Sequence, residues 1–475
     1  MPNRIPKHET HPAMDRMQAL TREETSRIHA TTMDLLRNTG VIFQENQGLK
    51  AFKAHGFKVD GQRVFFTEDQ VMAAAESAPS RFTVTARNPE KSLMVGEDAL
   101  VFIPGCGAPF IALPDGGRRR AKMQDYDNLC KLIQTSEVID MNGFMMVTPW
   151  DVAPKTGHLD MMFSNIVLCD KPFMGSPVSR QAVRDDVEMA AIVWGGMENL
   201  KAVGPVSISL VNAESPLRYT QESVGALIEL ASAGQACVLC SQVMVDPARP
   251  MSLGGVLTLQ NAEILAGVTL TQLIRPGAPV VYGAVYPATE IREVEFSIRC
   301  PELSMLVSAT AQMARFYHLP NCGGGGMTNA HVTDAQAGFE SMMTLFTAVR
   351  NGIHLILHSA GMMGSYFAMN YEKFLLDEAA CGMMRSLVTG MNLPQKAIKM
   401  ELIAAGTYRT FQNDGVSTDL MNRLPYAAWK ANGARRIEQV AFDRISQRMA
   451  AYQKPEIAPE VEEALVRYVN QRKND

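Results

Sequence analysis

Residue 323 opens a run of four glycines, followed by Met327-Thr328-Asn329-Ala330-His331-Val332-Thr333-Asp334, the chain's richest polar stretch. Consecutive glycines let a backbone approach a ligand closely, so Gly324, Gly325 and Gly326 are candidates to line a cofactor. Gln336 and Glu340 follow four residues apart, on one face of a helix that Thr333 or Asp334 would cap. A flexible loop, an ordinary cap and a solvated helix face would leave the same trace. Further on, His354 and His358 are also four apart. On a straight strand that is about 13 Å, too far to share a metal. His358, at the end of its apolar run, is the better site candidate, and His354 reads as a core histidine. Trp150, Tyr282, Tyr286, Tyr366 and Tyr371 add ring faces. Such faces attract a quaternary ammonium, and they are equally ordinary core filler. No G-x-S-x-G, H-E-x-x-H or P-loop occurs, which removes the usual hydrolytic and nucleotide constellations. Eight cysteines are scattered, and only Cys237 and Cys240 form a C-x-x-C. On a strand those two face opposite sides, so no metal site is expected and the thiols read as reduced.

What would position these residues is a repeated unit. Apolar, strand-like runs begin near residues 139, 172, 205, 236, 279, 319 and 353. Helical stretches such as LRYTQESVGALIELASAG lie between them. Strand, helix, strand at that interval builds a parallel sheet. Seven such strands, with room for an eighth on either side, point to a closed (β/α)8 barrel. No G-x-G-x-x-G opens a first unit, so a dinucleotide fold has little support. The barrel core is expected over residues 136–395. Ahead of it, residues 1–135 read as an α+β extension: a helix begun by the capping box at Thr21, then RVFF, RFTVTARN, ALVFIPG and PFIALPDGG as strands and hairpins. Arg118, Arg119 and Arg120 follow the Asp115-Gly116-Gly117 turn; a solvated charged turn and an anion site are both open there. Residues 396–475 read as a helical C-terminal cap. Because barrel sites gather where strands end, Trp150, Tyr282, Tyr286, Asn329 and His358 become substrate-binding candidates. Asp334, Gln336, Glu340 and His331 become catalytic ones.

The 475 residues are 47% hydrophobic and 20% charged, with a net charge of −4. That is globular, with no general basic footprint for nucleic acid or a membrane surface. The 31 methionines suit adaptable core packing or a pliable contact surface. No uninterrupted apolar run reaches 18 residues, so no membrane span is expected. The polar, Pro-broken N-terminus does not read as a signal peptide, and a cytoplasmic chain is expected.

The segments TNAHVTDAQAGFES at 328–341 and SYFAMNYEKFLLDEAACGMMRSL at 365–387 carry a recognisable pattern, D-x-Q-A-G-[FY]-E with a downstream F/Y-E-x-x-x-x-D-E. PELSMLVSATAQMARFYHLP at 301–320 and QLIRPGAPVVYG at 272–283 support it. On these residues the chain resembles the trimethylamine methyltransferase family of corrinoid-dependent enzymes, whose fold is a TIM barrel. Trimethylamine-specific members carry pyrrolysine near the 328–341 motif; only standard residues stand there in this chain. The resemblance is therefore to the branch that demethylates betaines. It implies transfer of a methyl group from a quaternary amine, with glycine betaine first, to the Co(I) of a corrinoid (cobalamin) presented by a separate corrinoid protein. Proline betaine or a carnitine-type betaine is the alternative donor. A betaine-binding protein without chemistry is the alternative of another class. No bound metal, nucleic acid or membrane is implied, and a homo-oligomer is expected. One departure is Gly406-Thr407-Tyr408-Arg409-Thr410-Phe411-Gln412, where the family pattern is His-rich.

Overall fold

The computed structural model describes residues 16–176, 179–241, 243, 251–284, 300–389 and 420–474, and the backbone of 290–292 and 295–297. Seven parallel strands form one curled sheet. In chain order they are β1 (Val101–Phe102), β2 (Phe173–Gly175), β3 (Ser207–Ala213), β4 (Ala236–Ser241), β5 (Val280–Gly283), β6 (Asn321–Gly324) and β7 (Leu355–Leu357). Their spatial order runs β1-β7-β6-β5-β4-β3-β2. Between them pass helices α1 (Met123–Gln134), α2 (Gly157–Leu168), α3 (Arg180–Val193), α4 (Gln221–Ala233), α5 (Leu253–Ile274), α6 (Cys300–Phe316) and α7 (Ala335–Arg350), and α8 (Tyr371–Thr389) follows β7.

Two of the expected strand positions are corrected by this register. The run near residue 139 is not a ladder strand. It is an irregular stave that bridges β2 only at Asn142–Phe173. Asn142 N–H donates to Pro172 O at 2.8 Å and Met174 N–H to Asn142 O at 2.9 Å. On its other side, Asp140 N–H donates to Phe102 O at 3.0 Å. Phe102 N–H returns to the Asp140 carboxylate at 2.9 Å. This stave closes the ring between β2 and β1. The remaining position is filled from upstream: Val101–Phe102, inside the stretch read as extension, pairs in parallel with β7. The barrel therefore has seven laddered strands and one stave. Gly143 and the bulky Phe144-Met145-Met146 explain the stave's irregularity. A Cβ on Gly143 would meet Met146 at 2.8 Å and Pro104 at 3.2 Å, and Met145 has a positive φ of 51°.

Strand composition follows from burial on both faces. Val238, Leu239, Val280, Val281, Leu355, Ile356 and Leu357 are all buried. Helix α5 is long and apolar enough to cross a membrane by length and composition, and most of it is buried inside the protein. It carries two buried polar anchors. Asn261 binds Thr32, Tyr282 and Tyr317. Glu263 accepts from Ser215, Ser241 and Leu217 N–H, and burial raises its carboxyl above the ordinary range.

The N-terminal segment folds as helices Arg22–Asn38, Asn46–Ala54 and Glu68–Ser77 with a small sheet, in which Val41–Phe43 pairs in parallel with Arg218–Tyr219. Thr21 forms the expected capping box with Glu24. Phe43, Phe52, Phe57, Phe66 and Tyr219 pack ring against ring beneath that sheet. At the other end of the chain, helices α9 (Ile437–Ala451) and α10 (Pro459–Asn474) lie along the barrel flank. Arg448 of α9 pairs with Glu378 of α8. Asp185 of α3 accepts from His158, Tyr468 and Arg472 at 2.8–2.9 Å, which pins α10. These hydrogen bonds hold the Asp185 carboxyl well below its ordinary pKa despite burial.

Candidate active site at the barrel mouth

The polar loops expected at the strand ends gather between the exits of β6 and β7. Glu340 of α7 organises them. Its Oε2 accepts from Thr328 Oγ1 at 2.6 Å and Asn329 N–H at 2.8 Å, and its Oε1 from Gln336 Nε2 at 3.1 Å. Gln336 and Glu340 thus share a helix face as their spacing implies. Asn329 Oδ1 in turn accepts from the Ser365 hydroxyl. Ser365 N–H donates to Thr328 O and Gly364 N–H to Ala330 O, both at 3.0 Å.

The loop after β7 is conformationally costly. His358, Ser365 and Tyr366 all have positive φ, at 58°, 53° and 78°. Non-glycine residues pay for that conformation, and such strain collects at sites that surrounding structure over-determines. The result is a fixed pair: the His358 and Tyr366 rings meet edge to face, 4.9 Å between centroids. His358 is buried, accepts from Cys106 N–H at Nδ1 (3.3 Å) and lies 3.9 Å from Cys106 Sγ through Nε2. Burial pushes its pKa down to about 4, so the imidazole at the mouth is neutral. His354 is a core residue, as read. Its Nδ1 accepts from Asn321 N–H and its Nε2 donates to Glu97 O, with a pKa lowered by burial to about 4.

Other candidates are placed differently. Tyr282 does not face the mouth. Its hydroxyl reaches outward to Asn261 of α5 at 2.9 Å and its ring stacks near Tyr317, so strand alternation turns it into the helix layer. Trp150 is on the outer rim, 57% exposed, with the Arg120 guanidinium over its ring at 6.0 Å. A ring already facing a cation in open solvent is a poor cage wall. Tyr286 lies outside the described residues, as does the 406–412 stretch. Asp334 caps α7 by accepting from Ala337 N–H at 3.1 Å. It is exposed and lines, with Arg435 and Phe442, a cleft of about 760 Å³ against the C-terminal segment. His331 is exposed beside Gly364.

The glycine run is explained by the chain's own packing. A Cβ on Gly325 would meet Ile356 at 2.8 Å, and one on Gly326 would lie 2.7 Å from His358 O. One on Gly324 would meet the end of Met327 at 2.6 Å. These glycines let β6 and β7 leave the barrel in close contact. The reading of the sequence missed the pair beneath them. Lys373 Nζ donates to Asp377 at 2.6 Å and to Gly326 O at 3.0 Å, and Asp377 accepts from Gly361 N–H at 2.8 Å. Spacing of i, i+4 on a helix was the available signal. Among the described residues no cluster of His, Cys, Asp or Glu is arranged to hold a metal, and the described cysteines are free thiols.

A closed (β/α)8 ring with its polar network collected where the strands end is the layout of a barrel enzyme. The chain belongs to the trimethylamine methyltransferase family, whose model matches residues 3–475. It is similar to a glycine betaine methyltransferase of Desulfitobacterium hafniense (strain Y51), 39% identical over 464 residues, covering 95% of this chain and 96% of that one. A proline betaine:corrinoid methyltransferase of Eubacterium limosum is 30% identical over 465 residues, covering 93% and 95%. A trimethylamine methyltransferase MttB of Desulfitobacterium hafniense (strain DSM 10664 / DCB-2) is 26% identical over 469 residues, covering 95% and 93%. Among solved structures, a hydroxylamine complex of MtmB shares the fold at TM-score 0.50 and 11% identity, covering 79% of this chain and 76% of that one.

Proposed function

We propose that the chain transfers a methyl group from a quaternary amine, glycine betaine first, to a corrinoid presented by a partner protein, leaving dimethylglycine. The observation that carries this reading is the 39% identity to a glycine betaine methyltransferase along 96% of its length. The mouth is chemically compatible. A quaternary nitrogen leaves as a neutral tertiary amine, so the site needs no proton donor at nitrogen. The neutral His358 and the Tyr366 ring supply polarisable walls without a competing positive charge. The Co(I) corrinoid, when presented, supplies the nucleophile that accepts the methyl. A corrinoid carried by a partner is supported by the relative named for a corrinoid methyl transfer, the proline betaine:corrinoid methyltransferase. The protein's share is to hold one N-methyl in line and keep water away. Attraction for the ground-state cation must stay moderate, since that charge disappears in the transition state. Glu340 fixes the loop carrying Asn329 and is a positioning residue.

The test is anaerobic incubation with Co(I) cobalamin and glycine betaine, proline betaine, carnitine or trimethylamine, following the methyl-Co(III) spectrum and the demethylated amine by NMR. Conversion of glycine betaine, with trimethylamine inert, is expected. Conversion of another betaine alone would reassign the donor. Failure with every donor, also with a corrinoid protein as acceptor, would leave a betaine-binding protein. The same reading includes self-association. Phe339 (77% exposed), Met343 and Phe346 form an apolar stripe on α7, and such stripes mark interfaces. Met343→Glu with Phe346→Glu should lower the mass seen by light scattering; an unchanged mass removes the stripe from any interface.

A further inference from the structure

The barrel mouth carries a second, outward-facing construction that the proposed chemistry does not use. A four-stranded sheet stands on the rim, ordered Met362–Met363, Ala368–Met369, Phe110–Ala112, Arg118–Arg120. It is made from the loops that leave β1 and β7, so it sits at the end of the barrel where the polar network lies. It is also tied to that network. Phe110 N–H donates to Phe367 O at 3.2 Å, next to Tyr366, and Gly116 at the hairpin tip faces Val332 of the loop after β6.

The edge strand of this sheet is three consecutive arginines, all exposed. Arg119 is committed to Asp125 by two hydrogen bonds of 2.7 Å. The Arg118 guanidinium lies over the Phe110 ring at 4.7 Å and that of Arg120 over the Trp150 ring at 6.0 Å. Lys122 and Lys155 are exposed nearby. Asp115 and Asp151, also exposed, accept Gly117 N–H and Met123 N–H, and with Asp125 they are three carboxylates against the five cations Arg118, Arg119, Arg120, Lys122 and Lys155. In a chain of net charge −4, this rim is a positive surface built around exposed Trp and Arg, the residue types that dominate binding hot spots.

We propose that the Arg118–Arg120 edge with Trp150 is the docking surface for the protein that presents the corrinoid, and that this partner meets it with an acidic surface beside its corrinoid. Two observations select this occupant. The charge is complementary to an acidic protein and steers its approach. The surface is continuous with the mouth, so a partner seated on it lies one strand from the Tyr366 loop, where a methyl acceptor must arrive. The proposal rests on the methyl-transfer reading above, and two acceptors separate the two.

The experiment compares wild type with Arg118→Glu/Arg120→Glu and the milder Arg118→Gln/Arg120→Gln. The acceptors are free Co(I) cobalamin and a purified, cobalamin-loaded carrier protein that the wild-type chain methylates. KM for the carrier should rise at least tenfold in the charge-reversed variant and less in the neutral one. The wild-type KM should climb with added salt, because steering by exposed charges is screened. Rates with free cobalamin should stay within twofold of wild type. Equal loss with both acceptors, or an unchanged carrier KM, overturns the docking surface while methyl transfer stands. No transfer by wild type to either acceptor removes the underlying reading instead.

Discussion

One carboxylate oxygen of Glu340 is held by the loop it organises and the other by Gln336 of its own helix, so its removal should act twice. Glu340→Ala strands the Thr328 hydroxyl and the Asn329 N–H. Each unsatisfied buried group costs about 1–3 kcal/mol. The variant should unfold at lower urea and show a raised KM for the methyl donor. Glu340→Gln, which keeps one acceptor oxygen, should recover part of both. Equal behaviour of the two variants would deny the carboxylate its positioning role. The two buried histidines predict an acid response. His354 and His358 are held near 4 in the folded chain, against about 6.5 when unfolded. Above pH 6.5 both states are neutral. As pH falls toward 4 the unfolded chain takes up protons that the folded one refuses. Stability therefore drops, by up to about 1.4 kcal/mol per pH unit for each histidine. Urea midpoints at pH 7.5 and 5 check this, and His354→Gln should flatten part of the slope. Spacing made legible that Gln336 and Glu340 share a helix face, and the Thr328–Asn329 stretch proves hydrogen-bonded to it, while His358 packs against Cys106 and Tyr366. Direction was not legible. Tyr282 and Trp150 are aromatic like a cage wall, but only the strand's alternation and the rim's solvent exposure show that one faces α5 and the other open water.

Among the elements, the β6 exit is the most constrained. Gly326 has φ of +63°, and a Cβ there would lie 2.7 Å from His358 O. Gly338, exposed in the first turn of α7, has open space around it. Gly326→Ala should therefore destabilise by about 1–3 kcal/mol through strain, and it should disturb the His358–Tyr366 pair. Gly338→Ala should stabilise by up to about 1 kcal/mol, from helix propensity alone. Chemical denaturation of both variants checks the contrast; similar effects would show that the run's tightness is unimportant. The βα beat was readable from hydrophobic runs because each parallel strand is buried on both faces. ALVFIPG, which holds Val101–Phe102, was readable as a strand, but as one of the extension rather than of the barrel. A ladder strand of two residues, Val101–Phe102, has no period that assigns it to the barrel, and the preceding 16–100 segment carries hairpin signals of its own. The stave near residue 139 looked like a strand for the opposite reason: its residues are as apolar as a strand's, while its backbone is turned by contacts distant in sequence.

Across the whole molecule, closure of the ring depends on groups outside the ladder. Asp140 accepts from Phe102 N–H and pairs with Arg385 of α8, whose guanidinium also covers the Phe102 ring at 4.9 Å. Lys171 donates to the carbonyls of Ser136 and Ile139, and burial lowers its pKa from 10.5 to about 8. Between pH 8 and 10.5 the unfolded chain still holds the lysine proton that the folded chain has released. This term therefore makes stability rise with pH across that window, by roughly 3 kcal/mol at full extent. The difference in urea midpoint between wild type and Lys171→Met, followed from pH 7.5 to 10.5, isolates it from other titrating groups; a constant difference would show that Lys171 keeps its proton. None of this was visible beforehand, because Asp140, Lys171 and Arg385 are ordinary charges in the sequence and acquire their task only when the ring closes on them. A ring with seven ladders and one stave also has a preferred line of opening. Its backbone amides should sort into two populations in deuterium exchange. Those of β3, β4 and β5 should wait for global unfolding, while Asp140, Asn142 and Met174 should exchange by parting at that line with the rest of the wall intact.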